Sequence, residues 1–111
     1  MTHILHPRKE DISLAGVLYA LGDPIRLKIV ETIICCENGL NCTIAAQDYC
    51  SLAKSTLSNH FRILREYGII HTEKKGVENI NKVRISELNE LFPGLIDNIL
   101  SQQTKNLCEK A

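Results

Sequence analysis

In the stretch KSTLSNHFRILREYGIIHTEKKG, residues 54–76, Ser55, Ser58 and Asn59 recur at spacings of three and four, so a helix would stack them on one side. Short hydroxyl and amide groups offer donors and acceptors without bulk, which suits reading the polar edges of another molecule by hydrogen bonds. Lys54 and Arg62 fall on the same side, and Lys74, Lys75, Lys82 and Arg84 follow closely in sequence. These are cations suited to a polyanion.

The formal net charge of the 111-residue chain is zero, but its distribution is uneven. Residues 54–84 carry seven lysines and arginines (54, 62, 65, 74, 75, 82, 84) against three glutamates (66, 73, 78). The flanking segments 1–53 and 85–111 are each net acidic by two charges. A basic segment between acidic ones reads as an anion-facing surface on otherwise neutral scaffolding. With 44% hydrophobic and 23% charged residues and no repeat, the chain is expected to form one globular domain, 1–111. The longest apolar run, Leu14 to Gly22, is about half of what a bilayer crossing needs, and "MTHILHPRKED" lacks a secretory h-region. A cytoplasmic protein without a membrane partner is expected.

Five cysteines are many for such a chain, and their odd number argues against a disulfide framework. Cys36 and Cys42 flank a short inter-helix segment and form the best candidate thiol switch. Three readings stay open for the cysteines: buried filler, a redox disulfide, or thiolates holding a soft ion such as arsenite.

The elements that must position these side chains are mostly helical. Residues 11–21 place Ile12, Ala15, Leu18 and Tyr19 on one face, widened by Leu14 and Leu21. Asp23 suits an N-cap, Pro24 the first helical position, and Gly39 an ending. Between them one stripe of Leu27, Val30 and Ile34 and another of Ile29, Ile33 and Cys36 predict a central helix covered on two sides. A short helix is expected at 41–49, then a tight connection into a helix over about 53–67. There Leu57, Phe61 and Leu64 make the buried stripe, and Gly68 the terminating glycine. "KKG" at 74–76 predicts a β-hairpin of 69–73 with about 79–85, with a bulge or late start because Ile80 and Val83 are three apart. Ser86 is expected to cap a last helical region, 87–107, interrupted at Pro93-Gly94, with residues 1–10 as a flexible arm.

Two helices joined by a tight turn, the second apolar inside and small-polar outside, describe a helix-turn-helix. Its outer face suits the DNA major groove, where Asn59 can pair with adenine. Lys54, Arg62, Lys74, Lys75, Lys82 and Arg84 would neutralise phosphates, which sets affinity and register.

"ALGDPIRLKIVETI" followed by "LAKSTLSNHFRILREYGIIHTEKKG" resembles the ArsR/SmtB-type winged helix-turn-helix repressors of bacteria, over roughly residues 13–100. The resemblance implies a mainly α fold with a small β-hairpin wing. It also implies a homodimer through the first and last helices, a palindromic double-stranded operator, and release on a signal. By matching position, Ser55, Ser58, Asn59 and His60 correspond to the recognition helix; His60 faces base or backbone, or packs beside Leu64. Metal-sensing relatives use an Asp-x-His with a later His-x-x-Glu, and no histidine follows His71 here. Others use a Cys-x-Cys, where this chain reads Cys42-Thr43-Ile44. His3 and His6 could join Cys42, but no spacing requires it, so no metal or other cofactor is expected. A cysteine nucleophile with His60 or His71 as base would need an accompanying acid pair or Gly-rich loop, so an enzyme is not expected. A winged-helix module that binds protein without DNA is the remaining alternative.

Overall fold

The structure, a computed structural model, describes residues 6–35, 40–41 and 51–110. A 3-10 turn at Lys9–Asp11 leads to α1 (Leu14–Leu21), α2 (Pro24–Ile34), β1 (Leu40–Asn41), α3 (Lys54–Glu66), β2 (Ile70–Lys75), β3 (Glu78–Val83), α4 (Ile85–Leu91) and α5 (Leu95–Lys110). The helix expected at 41–49 falls, after Asn41, outside the described residues, as do Cys36, Cys42 and His3. Cys35, at the end of α2, is exposed and free.

Capping chemistry sets the first two helix starts. The Ser13 hydroxyl accepts from the Gly16 amide at 3.0 Å, opening α1. One Asp23 carboxylate oxygen accepts from both the Ile25 and Arg26 amides, at 2.8 and 3.1 Å, and Pro24 occupies the first turn of α2. Asp23→Ala therefore leaves two amides without their acceptor. Its expected cost is about 1 kcal/mol, read as a lower urea midpoint at unchanged slope. An unchanged midpoint would show that water replaces the carboxylate.

The core lies where α2 meets α1, α3 and the sheet. Ile29, Val30 and Ile33 of α2, Val17 and Ala20 of α1, and Phe61 and Leu64 of α3 are all buried, with Ile69, Ile70, Leu88 and Ile96. Each large apolar side chain removed from water in this way contributes about 1.5–3 kcal/mol. The broad apolar surface expected of α2 is present, since Leu27 and Ile34 also pack against this core. In α1 the buried side is Gly16, Val17, Ala20 and Leu21, while Leu14, Leu18 and Tyr19 of the expected face are exposed. Both sides of this helix are apolar, and one chain covers only one of them.

β1, β3 and β2 form an antiparallel sheet in that order, with β3 central. The hairpin register runs unbroken from Ile70 opposite Val83 to Lys75 opposite Glu78, so the expected bulge is absent. Buried Asn81 occupies the inward position between Ile80 and Val83, and its side-chain oxygen accepts from the Thr72 hydroxyl at 2.6 Å. The connection is the pair Gly76-Val77, one residue later than "KKG" implies, with Gly76 at φ +64°. The last helical region divides at Gly94, φ +78°. Its first part starts at Ile85, so Ser86 lies inside α4 instead of capping it.

Residues 6–10, part of the expected arm, are fastened to the hairpin and to the start and end of α4. The Thr72 amide donates to His6 Nε2 at 2.9 Å, Arg84 donates to the Pro7 carbonyl at 2.9 Å, and Lys9 pairs with Glu90. The His6 ring stacks on His71 with centroids 4.1 Å apart.

Candidate nucleic-acid interface

α3 separates its side chains into an inward apolar face and an outward polar one. His60, Phe61, Ile63 and Leu64 face inward, Leu57 packs at the core margin, and Lys54, Ser55, Thr56, Ser58, Asn59 and Arg62 are exposed. Thr56 was missed by the sequence reading, although its place in the first exposed turn gave the signal. The Arg62 guanidinium donates to Glu66 at 2.9 Å and also to the Asn59 side-chain oxygen. Arg62 is thus braced along its own helix, and these exposed contacts are weak enough to exchange for a phosphate.

α3 ends in a complete Schellman arrangement. The Gly68 amide donates to the Arg65 carbonyl at 3.1 Å and the Ile69 amide to the Leu64 carbonyl at 2.9 Å, with Gly68 at φ +82°. Ile69 and Leu64, fully buried, supply the accompanying apolar contact. This termination sends the chain directly into β2, so α3 and the hairpin share one rigid joint.

On the hairpin, Lys74, Lys75 and Lys82 are exposed. The register places Lys75 and Lys82 on one face and Lys74 on the other. Lys75 lies opposite Glu78 and Lys82 opposite His71, so the cations alternate with other polar groups and do not form a single strip.

Two of the expected contact residues are engaged within the molecule. The Arg84 side chain is only 8% exposed: Nε and Nη2 donate to Glu87 at 2.9 and 3.0 Å, and Nη1 to the Pro7 carbonyl. Its donors are used within the molecule, and the pairing holds the Glu87 carboxyl below its ordinary range. His60 is 8% exposed and lies with Nδ1 3.3 Å from Arg26 Nη1, so of the readings open from sequence the packed one holds. Arg26 itself was visible in the Asp-Pro-x-Arg motif but was not assigned a role.

The arm gives a pH prediction. Burial, then His71, Arg84 and Arg65, lower the His6 pKa below its ordinary 6.5. Only the neutral ring can accept at Nε2 from Thr72. A lowered pKa in the docked state means that docking is fully supported above 6.5 and weakens as pH falls from there through the docked value. The Thr72 amide proton resonance should shift upfield over that window in the wild type and stay flat in His6→Gln. A flat wild-type titration would show that the arm does not depend on this bond.

Among the described residues, no group of three or more histidine, cysteine or acidic side chains is placed to hold a metal ion, and no helix is long and apolar enough to cross a membrane.

No family model matches the sequence. The chain is 31% identical over 85 residues to the uncharacterized HTH-type transcriptional regulator MJ1325 of Methanocaldococcus jannaschii, covering 77% of this chain and 92% of that protein. Its structure resembles an ArsR-like transcriptional regulator from Rhodococcus sp. RHA1, with a TM-score of 0.60 at 21% identity over 86% of this chain and 87% of the other. It also resembles the transcriptional repressor BigR from Xylella fastidiosa, with a TM-score of 0.54 at 24% identity over 71% and 85%. The chain belongs to the helix-turn-helix-type transcriptional regulators, and its fold is the winged helix of the ArsR type.

Proposed function

We propose that the protein is a dimeric, cytoplasmic transcriptional repressor that reads a palindromic operator through Ser55, Ser58 and Asn59. Lys54, Arg62, Lys74, Lys75 and Lys82 meet phosphates. The observation that carries this reading is the outer face of α3, whose small polar side chains are exposed while the opposite stripe is buried. Such a face fits the major groove, and a wing beside it reaches the flanking backbone. BigR, a structural relative, is a transcriptional repressor, which supports repression over activation.

Dimerisation is supported by α1. Leu14, Leu18 and Tyr19 are 47%, 48% and 54% exposed, an apolar surface on a chain too small to cover it alone. A second copy related by a two-fold axis would cover it, with Leu95 and Ile99 of α5, both half-buried, contributing. The two α3 helices would then enter successive major grooves about 34–36 Å apart. Release of the operator by oxidation or arsenite binding at Cys36 and Cys42 is one form the signal can take.

The test is selection of duplexes from a random pool, with sedimentation of the free protein. Enrichment of a palindrome with half-sites one helical turn apart, and a dimer at micromolar concentration, are the expected results. A monomer that enriches nothing, and whose retention on random duplex is insensitive to salt, would leave a protein-binding module in place of a regulator.

A further inference from the structure

We propose that Arg26 is a positioning residue for DNA reading, fixing the rotation of α3 through His60 while gripping the end of α1. The inference rests on α3 being the reading helix. Arg26 is 8% exposed and its three donor positions are all directed at partners. Nε donates to the Ala20 carbonyl at 2.7 Å, Nη2 to the Tyr19 carbonyl at 3.2 Å, and Nη1 lies 3.3 Å from His60 Nδ1. Arginine has no acceptor, so His60 Nδ1 must be the acceptor and the imidazole proton sits on Nε2. His60 directly follows Ser58 and Asn59, so this buried contact holds the backbone that aims them. A second contact references the end of the same helix to α1: the Tyr19 and Tyr67 rings meet edge-on with centroids 5.2 Å apart. Tyr19 also lies under the Arg26 guanidinium, 5.4 Å from its ring centroid. α3 is therefore tied to α1 at its middle and at its end, and Tyr19, on the exposed apolar side of α1, takes part in both ties. Base readout tolerates little rotation, because its hydrogen bonds span only about 2.7–3.2 Å; phosphate contacts by long lysines tolerate far more.

The experiment uses the full chain and a duplex that the wild type selects from a random pool, and measures the ratio of affinities for that duplex and for random duplex. His60→Leu keeps the bulk and removes the acceptor; His60→Asn keeps an acceptor, because its amide oxygen takes the place of the imidazole Nδ1. The expected result is a ratio lowered about tenfold in His60→Leu and Arg26→Met, with no further loss in the double variant, and restored to within about threefold of wild type in His60→Asn. A purely structural role would lower the melting temperature but leave this ratio unmoved. Should His60→Leu not fold, Arg26→Lys reads the same contact, since it keeps a cation for the α1 carbonyls and loses the arm that reaches His60. A wild-type ratio in these variants, beside a lowered one in Asn59→Ala, overturns the role of Arg26 alone. A wild-type ratio in Asn59→Ala as well overturns the reading face itself.

Discussion

Asn59→Ala is expected to weaken binding of the selected duplex by about 1–3 kcal/mol while leaving random duplex bound as before. Asn59 is exposed on α3, and its amide has the paired donor and acceptor that adenine presents in the major groove. In the free protein its oxygen already accepts from Arg62. Pairing of that oxygen with a base would therefore displace Arg62, which would be free to exchange its exposed contacts for a backbone phosphate. Arg62→Ala consequently has two opposed effects, a lost phosphate contact and a freed Asn59, and its net loss should be smaller than that of Asn59→Ala. Lys75→Ala is expected to weaken all duplexes alike and flatten the salt dependence by about one unit per lost phosphate contact. Arg84→Ala is expected to leave that slope unchanged and to lower stability instead, because its donors bind Glu87 and Pro7. Titration of each variant against salt separates the two classes. Equal loss on selected and random duplex in Asn59→Ala would sink the assignment of the reading face.

That division among the cations marks where sequence reading stops. Lys54, Ser55, Ser58, Asn59 and Arg62 were legible because one helix carries them: the Leu57, Phe61, Leu64 stripe fixes which side is inward, and the rest follows from helical geometry. The terminating Gly68 and the Asp23 cap were legible for the same local reason. The intramolecular engagement of Arg84, and which of the open readings holds for His60, were not legible because their surroundings come from far away in the chain. The partner of Arg84 at Pro7 is 77 residues off, and that of His60 at Arg26 is 34. The burial of Asn81 depends on the cross-strand Thr72 hydroxyl and on β1 as a second neighbour, a pairing no local pattern announces. Which side of α1 one chain covers was not legible, because apolar residues ring the helix and periodicity does not distinguish its sides.

The joint between α3 and the wing should be the least tolerant glycine site in the described chain. Gly68 has φ +82°, where an L-residue costs about 1–2 kcal/mol, and the Schellman bonds leave the backbone no freedom to move away. A Cβ placed there would stand 2.5 Å from Ile12 Cγ1 and 2.6 Å from Cδ1. Ile12 cannot simply turn aside, since it is 7% exposed and follows the arm that His6, Pro7 and Lys9 fasten to the wing and α4. Forcing such an overlap adds about 1–3 kcal/mol, so Gly68→Ala should cost about 2–5 kcal/mol in all, a large share of the stability of so small a domain. Gly94 supplies the control. It shares the left-handed conformation at φ +78°, but a Cβ there meets nothing within 4 Å, so Gly94→Ala should cost only the backbone part. Urea unfolding of the two variants therefore isolates the contact with Ile12. In the Gly68→Ala background, Ile12→Ala should cost less than it does alone, because the cavity it opens receives the new methyl group. Equal unfolding midpoints for Gly68→Ala and Gly94→Ala would mean that Ile12 is not seated over the joint, and that the arm does not brace the turn between α3 and the hairpin.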